Sequence, residues 1–126
     1  MSQERKRPEI EFPEGEPPAA LSVTDEIVGE GPEAAGGSTV TAHYVGVAFS
    51  SGEEFDASWN RGEPLRFRLG VGQVIAGWDQ GIAGMRVGGR RRLVIPPDLA
   101  YGPRGAGGAI GPNETLIFVV DLVDVQ

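Results

Sequence analysis

The residue types that most often carry enzymatic chemistry are scarce in this chain of 126 residues, which has no cysteine and one histidine, His43. A metal site would need further histidines or clustered carboxylates at ligand spacing around His43, and the sequence provides neither. A nucleophile activated by a base would also depend on His43 alone. We therefore expect no metal and no covalent intermediate, and we expect His43 to be a hydrogen-bonded structural residue.

A candidate cofactor motif begins at Gly70-Val71-Gly72. The dinucleotide fingerprint places its third glycine three residues after the second, but Gly77 follows Gly72 by five positions. The segment before Gly70 also has the alternation of an antiparallel strand, whereas the fingerprint belongs to a parallel βαβ unit. The sequence therefore predicts no nucleotide cofactor.

The remaining residues that can form a site are aromatic and are distributed over the whole chain: Tyr44, Phe55, Phe67, Trp78, Tyr101 and Phe118. They could converge on a small apolar cup, since ligand sites are mostly apolar with a few placed polar groups. They could equally form an ordinary hydrophobic core. Composition and periodicity do not separate these two interpretations.

The composition limits the class of protein. A mass of 13.3 kDa corresponds to one domain. The net charge of -7 disfavours a nucleic-acid or anionic-membrane partner, since phosphate contacts need clustered lysine and arginine. The basic run Arg90-Arg91-Arg92 leads into Leu93-Val94-Ile95, so we expect a solvated strand end. The N-terminus lacks the apolar core of a signal peptide and no segment is long enough to span a membrane, so we expect a cytoplasmic protein.

Strand patterns recur along the chain, at residues 21–28, 38–49, 65–69, 91–95 and 115–125. The clearest is Leu65-Arg66-Phe67-Arg68-Leu69, whose strict alternation predicts one buried and one exposed face. Residues 1–20 contain four prolines and no periodicity, which predicts an extended or disordered arm before a domain of residues 21–126. Within the arm, Ile10 and Phe12 could dock on the domain.

One segment has helical periodicity, with four large apolar residues on one face: Ile75, Trp78, Ile82 and Met85. It also contains Gly77, Gly81 and Gly84, each of which lowers helix propensity by about 1 kcal/mol. We therefore expect a close approach to a sheet, and tertiary packing, to hold this helix. Many strands and one helix predict an α+β fold, a curled antiparallel sheet of about five strands wrapped around one short helix.

The loop of residues 102–112 is long for so small a domain, and long loops are often functional. Its single large apolar residue is Ile110. Ile110 could act as a flap over an apolar ligand, or as a plug that pins the loop to the core. The residues alone leave both interpretations open.

Four motifs resemble those of the FKBP family of peptidyl-prolyl cis-trans isomerases in order and spacing: His43-Tyr44-Val45-Gly46, Gly52-Glu53-Glu54-Phe55-Asp56, Val74-Ile75-Ala76-Gly77-Trp78 and Pro97-Asp98-Leu99-Ala100-Tyr101-Gly102. The similarity runs from about Leu21 to Val125, includes Thr115-Leu116-Ile117-Phe118 and requires no large insertion. It implies a fold in which five or so antiparallel strands wrap a short helix, in agreement with the pattern. Residues 1–20 lie outside the common core of the family.

The resemblance also implies a role for each residue of a proline pocket. Trp78 would form its floor, while the Ile75 N–H and the Tyr101 hydroxyl would donate hydrogen bonds to substrate carbonyls. Asp56 would lie at the edge, paired with Arg61. Phe118 would complete the catalytic set of Ile75, Asp56 and Tyr101. The other residues implied in substrate binding are Tyr44, Phe55, Leu65, Phe67, Val74, Ala106 and, as the closing flap, Ile110.

The function implied by the resemblance is isomerisation of Xaa-Pro bonds in proline-containing peptides and in unfolded or partly folded proteins, by a monomer without a cofactor. Binding of macrolides of the tacrolimus and rapamycin type is implied as well. Leu65 stands where many members carry a pocket aromatic, and Ala106 and Gly111 replace a larger residue and a proline of the loop. These departures predict a wider pocket and a looser flap. The alternative function is a binding module or holdase that uses the same cup without turnover.

Overall fold

The computed structural model describes residues 7–10, 15–107 and 109–126. Its strands are β1 (Ser22–Ile27), β2 (Thr39–Ala48), β3 (Glu54–Ala57), β4 (Leu65–Arg68), β5 (Arg90–Ile95) and β6 (Leu116–Val125). Its helices are α1 (Ser58–Arg61) and α2 (Ala76–Gly81), with 3-10 turns at Pro97–Leu99 and Gly102–Arg104. No helix in these ranges is long and apolar enough to cross a membrane. Residues 1–6 and 11–14 of the predicted arm, Phe12 among them, lie outside the described residues.

The six strands form one antiparallel sheet in the order β1-β5-β6-β2-β3, and β4 pairs with β2 off this path. Strand β2 is the centre of the sheet because it pairs with β3, β4 and β6. Its register shifts between Thr41 and Ala42 against β6, and between Gly46 and Val47 against β3. Irregularities of this kind bend a strand and increase its twist. They give the sheet the curl with which it surrounds α2.

The α+β prediction is confirmed, with a curled antiparallel sheet around a short central helix. The sheet has six strands where about five were expected. The additional strand, β3, is only four residues long and is followed at once by α1, which is equally short. Elements of this length carry too few residues for a periodic pattern to be recognised.

Helix α2 lies against the concave face of the sheet at a distance that requires glycine. A Cβ at Gly77 would lie 2.4 Å from Ile95 Cγ2, and a Cβ at Gly81 would lie 2.7 Å from Leu93 Cδ2. The expected close approach is confirmed at these two positions. Gly84 has a different role, because its φ of 90° serves the turn that follows the helix.

The helix is shorter than its apolar pattern suggests, since it ends at Gly81. Ile82 and Met85 lie in the following turn but remain buried. They belong to the large core cluster that fills the concave side of the sheet, which includes Trp78, Leu93 and Phe118. The face that the pattern predicted is therefore real, although only its first part is helical.

A second, smaller cluster covers the convex side of the sheet. Its buried members are Val45, Val47, Ala57, Val94 and Ile117. Ile10 of the arm, Phe49 and Trp59 pack against it while remaining partly exposed. The predicted docking of Ile10 is thus confirmed, and the sheet has a hydrophobic layer on each side.

The basic run at the start of β5 is not a solvated strand end. Arg90 pairs with the buried carboxylate of Asp121 at 2.8 Å. Arg91 pairs with Asp25 at 2.7 Å and donates a hydrogen bond to the Gly81 carbonyl at 2.9 Å. Tertiary contacts across the sheet and at the end of α2, which no local pattern specifies, account for the difference.

Candidate proline-binding pocket

A cavity of about 170 Å³ opens on the concave side of the sheet at the start of α2. Its lining is predominantly aromatic and aliphatic, and Asp56 and Gln73 are its two non-aromatic polar side chains. The lining residues are Tyr44, Phe55, Asp56, Leu65, Gln73, Val74, Ile75, Trp78, Tyr101 and Phe118. Strands β2, β3, β4 and β6, helix α2 and the turn before Gly102 each contribute at least one residue. Of the six aromatic residues for which the sequence left a cup and a core as alternatives, all but Phe67 line this open cavity.

Trp78 lies at the bottom of this cavity, with a side chain that is only 4% exposed. It packs edge-to-face against Tyr44, with ring centroids 4.9 Å apart, and against Phe118 at 5.2 Å. Its indole N–H is buried and has no hydrogen-bond partner among the described residues. The depth of the floor follows from the close contact of Gly77 and Gly81 with the sheet.

The wall opposite depends on a glycine of the central strand. The rings of Phe55 and Phe118 meet edge-to-face at 5.5 Å. A Cβ at Gly46 would lie 2.7 Å from an atom of each ring. Only glycine at this position lets both rings keep their places beside Trp78.

A hydrogen-bonded triangle forms one rim of the cavity. The Tyr44 hydroxyl donates to Asp56 Oδ2 at 2.6 Å, and Arg61 donates to Asp56 Oδ1 at 2.8 Å. Arg61 also donates to the Tyr44 hydroxyl at 2.9 Å. Burial, and next the hydrogen bond to Asp56, raise the pKa of Tyr44 above its ordinary value of 10. The predicted Asp56–Arg61 pair is present, and it fixes Tyr44 as well.

Two hydrogen-bond donors at the mouth of the cavity are unused. Tyr101 lines the cavity and is 41% exposed, and its hydroxyl has no acceptor within residues 7–10, 15–107 and 109–126. Burial, and then the negative charge of Asp56, raise the pKa of Tyr101. The Ile75 N–H, directly before α2, has no acceptor among the same residues. Both groups are therefore available to carbonyl oxygens of a ligand.

Four residues implied in binding do not line the cavity in this conformation. Phe67 lies behind the floor, with its ring 5.6 Å from that of Trp78. Arg61 belongs to the rim but does not line the cavity, since its contacts are with Asp56 and the Tyr44 hydroxyl. Ala106 and Ile110 pair with each other across the loop, and Ile110 is buried in the large core cluster. The position of Ile110 corresponds to the plug interpretation, and its action as a flap remains a prediction.

Gln73 lines the cavity but was not among the predicted residues. Its side-chain carbonyl accepts a hydrogen bond from the Arg68 N–H at 2.9 Å, which ties the segment before α2 to the end of β4. Its place next to Val74 is the only sequence signal that could have indicated it. The described residues contain no group of three or more histidine, aspartate or glutamate side chains placed to hold a metal ion.

The chain is similar to known proteins over most of its length. Residues 31–123 match the family model of FKBP-type peptidyl-prolyl cis-trans isomerases. The chain is 68% identical over 121 residues to an FK506-binding protein of Streptomyces anulatus, covering 95% of this chain and 98% of that one. It is 52% identical over 118 residues to a probable FK506-binding protein of Corynebacterium glutamicum, covering 94% and 98%. The crystal structure of AtFKBP13 is similar with a TM-score of 0.79 and 46% identity, covering 87% of this chain and 96% of that chain.

Proposed function

This chain belongs to the FKBP-type peptidyl-prolyl cis-trans isomerases, and we propose that it catalyses rotation about Xaa-Pro bonds in the cavity above Trp78. The supporting observation is the combination of an apolar cavity with two unused donors at its mouth, the Ile75 N–H and the Tyr101 hydroxyl. An apolar floor suits a proline ring, and the donors suit the carbonyl groups on either side of it. The proposed reaction needs no cofactor and forms no covalent intermediate.

The barrier to rotation is about 18–20 kcal/mol because twisting the peptide bond removes amide resonance. The twisted amide has less charge separation across the C–N bond than the planar amide. Transfer into an apolar cavity therefore raises the free energy of the planar ground state more than that of the twisted state. Lowering the barrier by about 6 kcal/mol would shorten isomerisation from tens of seconds to about a millisecond.

The polar groups of the site have an orienting role in this mechanism. Hydrogen bonds from the Ile75 N–H and the Tyr101 hydroxyl hold the peptide on both sides of the rotating bond. Asp56 is kept at the rim by Tyr44 and Arg61, so its carboxylate faces the mouth in a fixed position. Because the pKa of Tyr101 is raised, its hydroxyl remains protonated, and able to donate, throughout the neutral and mildly alkaline range.

We further propose that the ligands are proline-containing peptides and partly folded proteins, and that macrolides of the tacrolimus and rapamycin type compete for the same cavity. At about 170 Å³ the cavity is smaller than the roughly 300–1,000 Å³ of typical drug sites. A macrolide would consequently insert one ring above Trp78 and leave most of its surface outside. Monomeric state and cytoplasmic location remain predictions of the sequence.

The test is an isomerisation assay on Xaa-Pro tetrapeptides with wild type, Asp56→Val and the matched surface control Asp124→Val, after circular dichroism has verified that each variant is folded. We expect rapid turnover in wild type and the control, and a rate at least tenfold lower in Asp56→Val. A folded wild type without turnover would favour the alternative, a module that binds peptides in the same cup.

A further inference from the structure

The N-terminal arm carries a contact that the family match, which begins at residue 31, does not include. Within the arm, Pro8 is buried and Ile10 packs against the convex-side cluster next to Trp59. Residues 7–10 therefore lie on the outside of the sheet, on the side away from the cavity. The segment that they touch, β3 and α1, nevertheless carries the polar rim of that cavity.

Arg7 joins the two halves of this segment. It donates a hydrogen bond to Asn60 Oδ1 at 2.6 Å and forms an ion pair with Glu54. Asn60 in turn donates to Glu54 Oε2 at 2.9 Å. The three side chains make a closed triangle in which the planar guanidinium contacts both partners at once, as its fork of donors allows.

This triangle lies alongside the triangle at the rim. Glu54 and Asp56 are both on β3, two residues apart, on either side of the register shift that this strand makes against β2. Asn60 and Arg61 are neighbours in α1. The Glu54–Asn60 and Asp56–Arg61 bonds thus link β3 to α1 twice, and Arg7 reinforces the first link.

We propose that Arg7 is a positioning residue for the isomerase pocket: through Glu54 and Asn60 it fixes β3 against α1 and thereby the Asp56–Arg61–Tyr44 rim. The proposal rests on the proposed function of that rim. Arg7 and Glu54 are partly exposed, with side-chain accessibilities of 40% and 33%, and exposed ion pairs are individually weak. The expected effect is therefore a change of about threefold in rate.

The first experiment compares kcat/KM for full-length wild type, Arg7→Ala, Arg7→Lys and the control Glu9→Ala, which changes an exposed residue of the same arm. We expect Arg7→Ala to lower kcat/KM about threefold and Glu9→Ala to leave it unchanged. Arg7→Lys should restore part of the loss, because an ammonium group can contact Glu54 but lacks the planar fork. An Arg7→Ala protein with the wild-type rate would overturn the proposal.

The second experiment is a double-mutant cycle with Arg61→Ala, which separates positioning from a general effect on stability. If Arg7 acts through the rim, its removal should have little effect once Arg61 is absent. The same threefold loss in both backgrounds would overturn the proposal. A lower kcat/KM in Arg61→Ala together with an unchanged kcat/KM in Arg7→Ala would refute the role of the arm but not that of the rim. An unchanged rate in Arg61→Ala would refute the proposed rim and the arm proposal with it.

Discussion

The two tryptophans of this protein lie on opposite sides of the same sheet and have different surroundings. Trp78 is the floor of the concave cavity, surrounded by the rings of Tyr44, Phe67 and Phe118. Trp59 is partly exposed on the convex side and stacks on His43 with ring centroids 4.3 Å apart. Both indole N–H groups are buried without a partner among the described residues. An unpaired indole therefore does not by itself identify the functional side.

Cavity size does not identify the functional side of the sheet either. The convex side has the larger depression, about 740 Å³, lined in part by His43, Trp59, Asp121 and Val123. Two of its polar side chains have partners, since Asp121 pairs with Arg90, and His43 Nδ1 lies 2.8 Å from the Ser58 hydroxyl. The concave cavity is about 170 Å³, and at its mouth the Ile75 N–H and the Tyr101 hydroxyl have no acceptor among the described residues. Donors at the mouth of a cavity with an aromatic floor therefore distinguish the concave site, whereas volume does not.

The largest expected effect contrasts an aromatic residue of each side. Phe118→Ala should lower kcat/KM about 100-fold, because it removes a wall of the cavity that supports Trp78. Trp59→Ala should change it less than about twofold, although both variants lose stability. An isomerisation assay at low temperature, with folding checked by circular dichroism, measures the contrast. Phe118→Leu provides a second test if the alanine variant does not fold, and equal losses at Phe118 and Trp59 would contradict the account.

The next effect concerns the close contact between α2 and the sheet. Gly77→Ala should lower the free energy of unfolding by about 1–3 kcal/mol, because its Cβ would overlap with the side chain of Ile95. The displaced helix should carry Trp78 with it and reduce the rate. Gly36→Ala is the matched control, since a Cβ there meets no atom within 4 Å. Chemical denaturation measures the free energy of unfolding of both variants. A Gly77→Ala protein as stable as Gly36→Ala would show that the fold does not depend on the close contact of α2 with Ile95.

Ser58 connects the two sides, and its removal should have an intermediate effect. The fully buried Ser58 hydroxyl accepts the Tyr44 N–H at 2.7 Å and lies against His43 Nδ1. In Ser58→Ala the buried Tyr44 N–H loses its acceptor, which should cost about 1–3 kcal/mol of stability. Because Tyr44 also belongs to the rim, the rate should fall too. Ser51→Ala, on the exposed turn, should alter neither the stability nor the rate. A Ser58→Ala protein with the wild-type rate would show that Ser58 does not couple the convex side of the sheet to the cavity.

The smallest expected effect is a pH dependence that belongs to the convex side. Burial lowers the pKa of His43 below 6.5, and the charge of Asp121 opposes this only in part. Below about pH 6.5 the unfolded chain binds a proton at His43 more readily than the native protein does, so the free energy of unfolding decreases as pH falls. In His43→Gln the decrease between pH 7.5 and 5.5 should be smaller. Denaturation at both values tests this, and identical decreases would show that His43 contributes nothing.

The sequence was most informative where side-chain periodicity reports burial directly. The alternation of residues 65–69 predicted the buried Phe67 in β4, the buried Leu69 directly after it, and the exposed Arg66 and Arg68. The glycines near Trp78 predicted the close approach of α2, because glycine in a helix has little other use. The resemblance of four motifs then predicted the pocket, and most of the residues it implied do line the cavity.

The sequence was least informative where position depends on a distant partner. Arg90 and Arg91 looked like a solvated run, but their carboxylate partners lie on β6 and β1. The same limit applies within the site. Gln73, in the segment before α2, lines the cavity, whereas Ile110, in the loop of residues 102–112, is buried in the core, and no local pattern specifies either position. Contacts between residues far apart in sequence leave no periodic signal in either partner.

The most direct test of the central claim uses Trp59→Phe, which leaves Trp78 as the only tryptophan. We expect a proline-containing peptide, or a macrolide of the rapamycin type, to change the fluorescence of this variant with a midpoint that matches inhibition of its isomerase activity. Trp78→Phe, which retains Trp59, should show little change under the same conditions. A fluorescence response from Trp59 alone, with the isomerase inhibited, would place the ligand on the convex side and contradict the account.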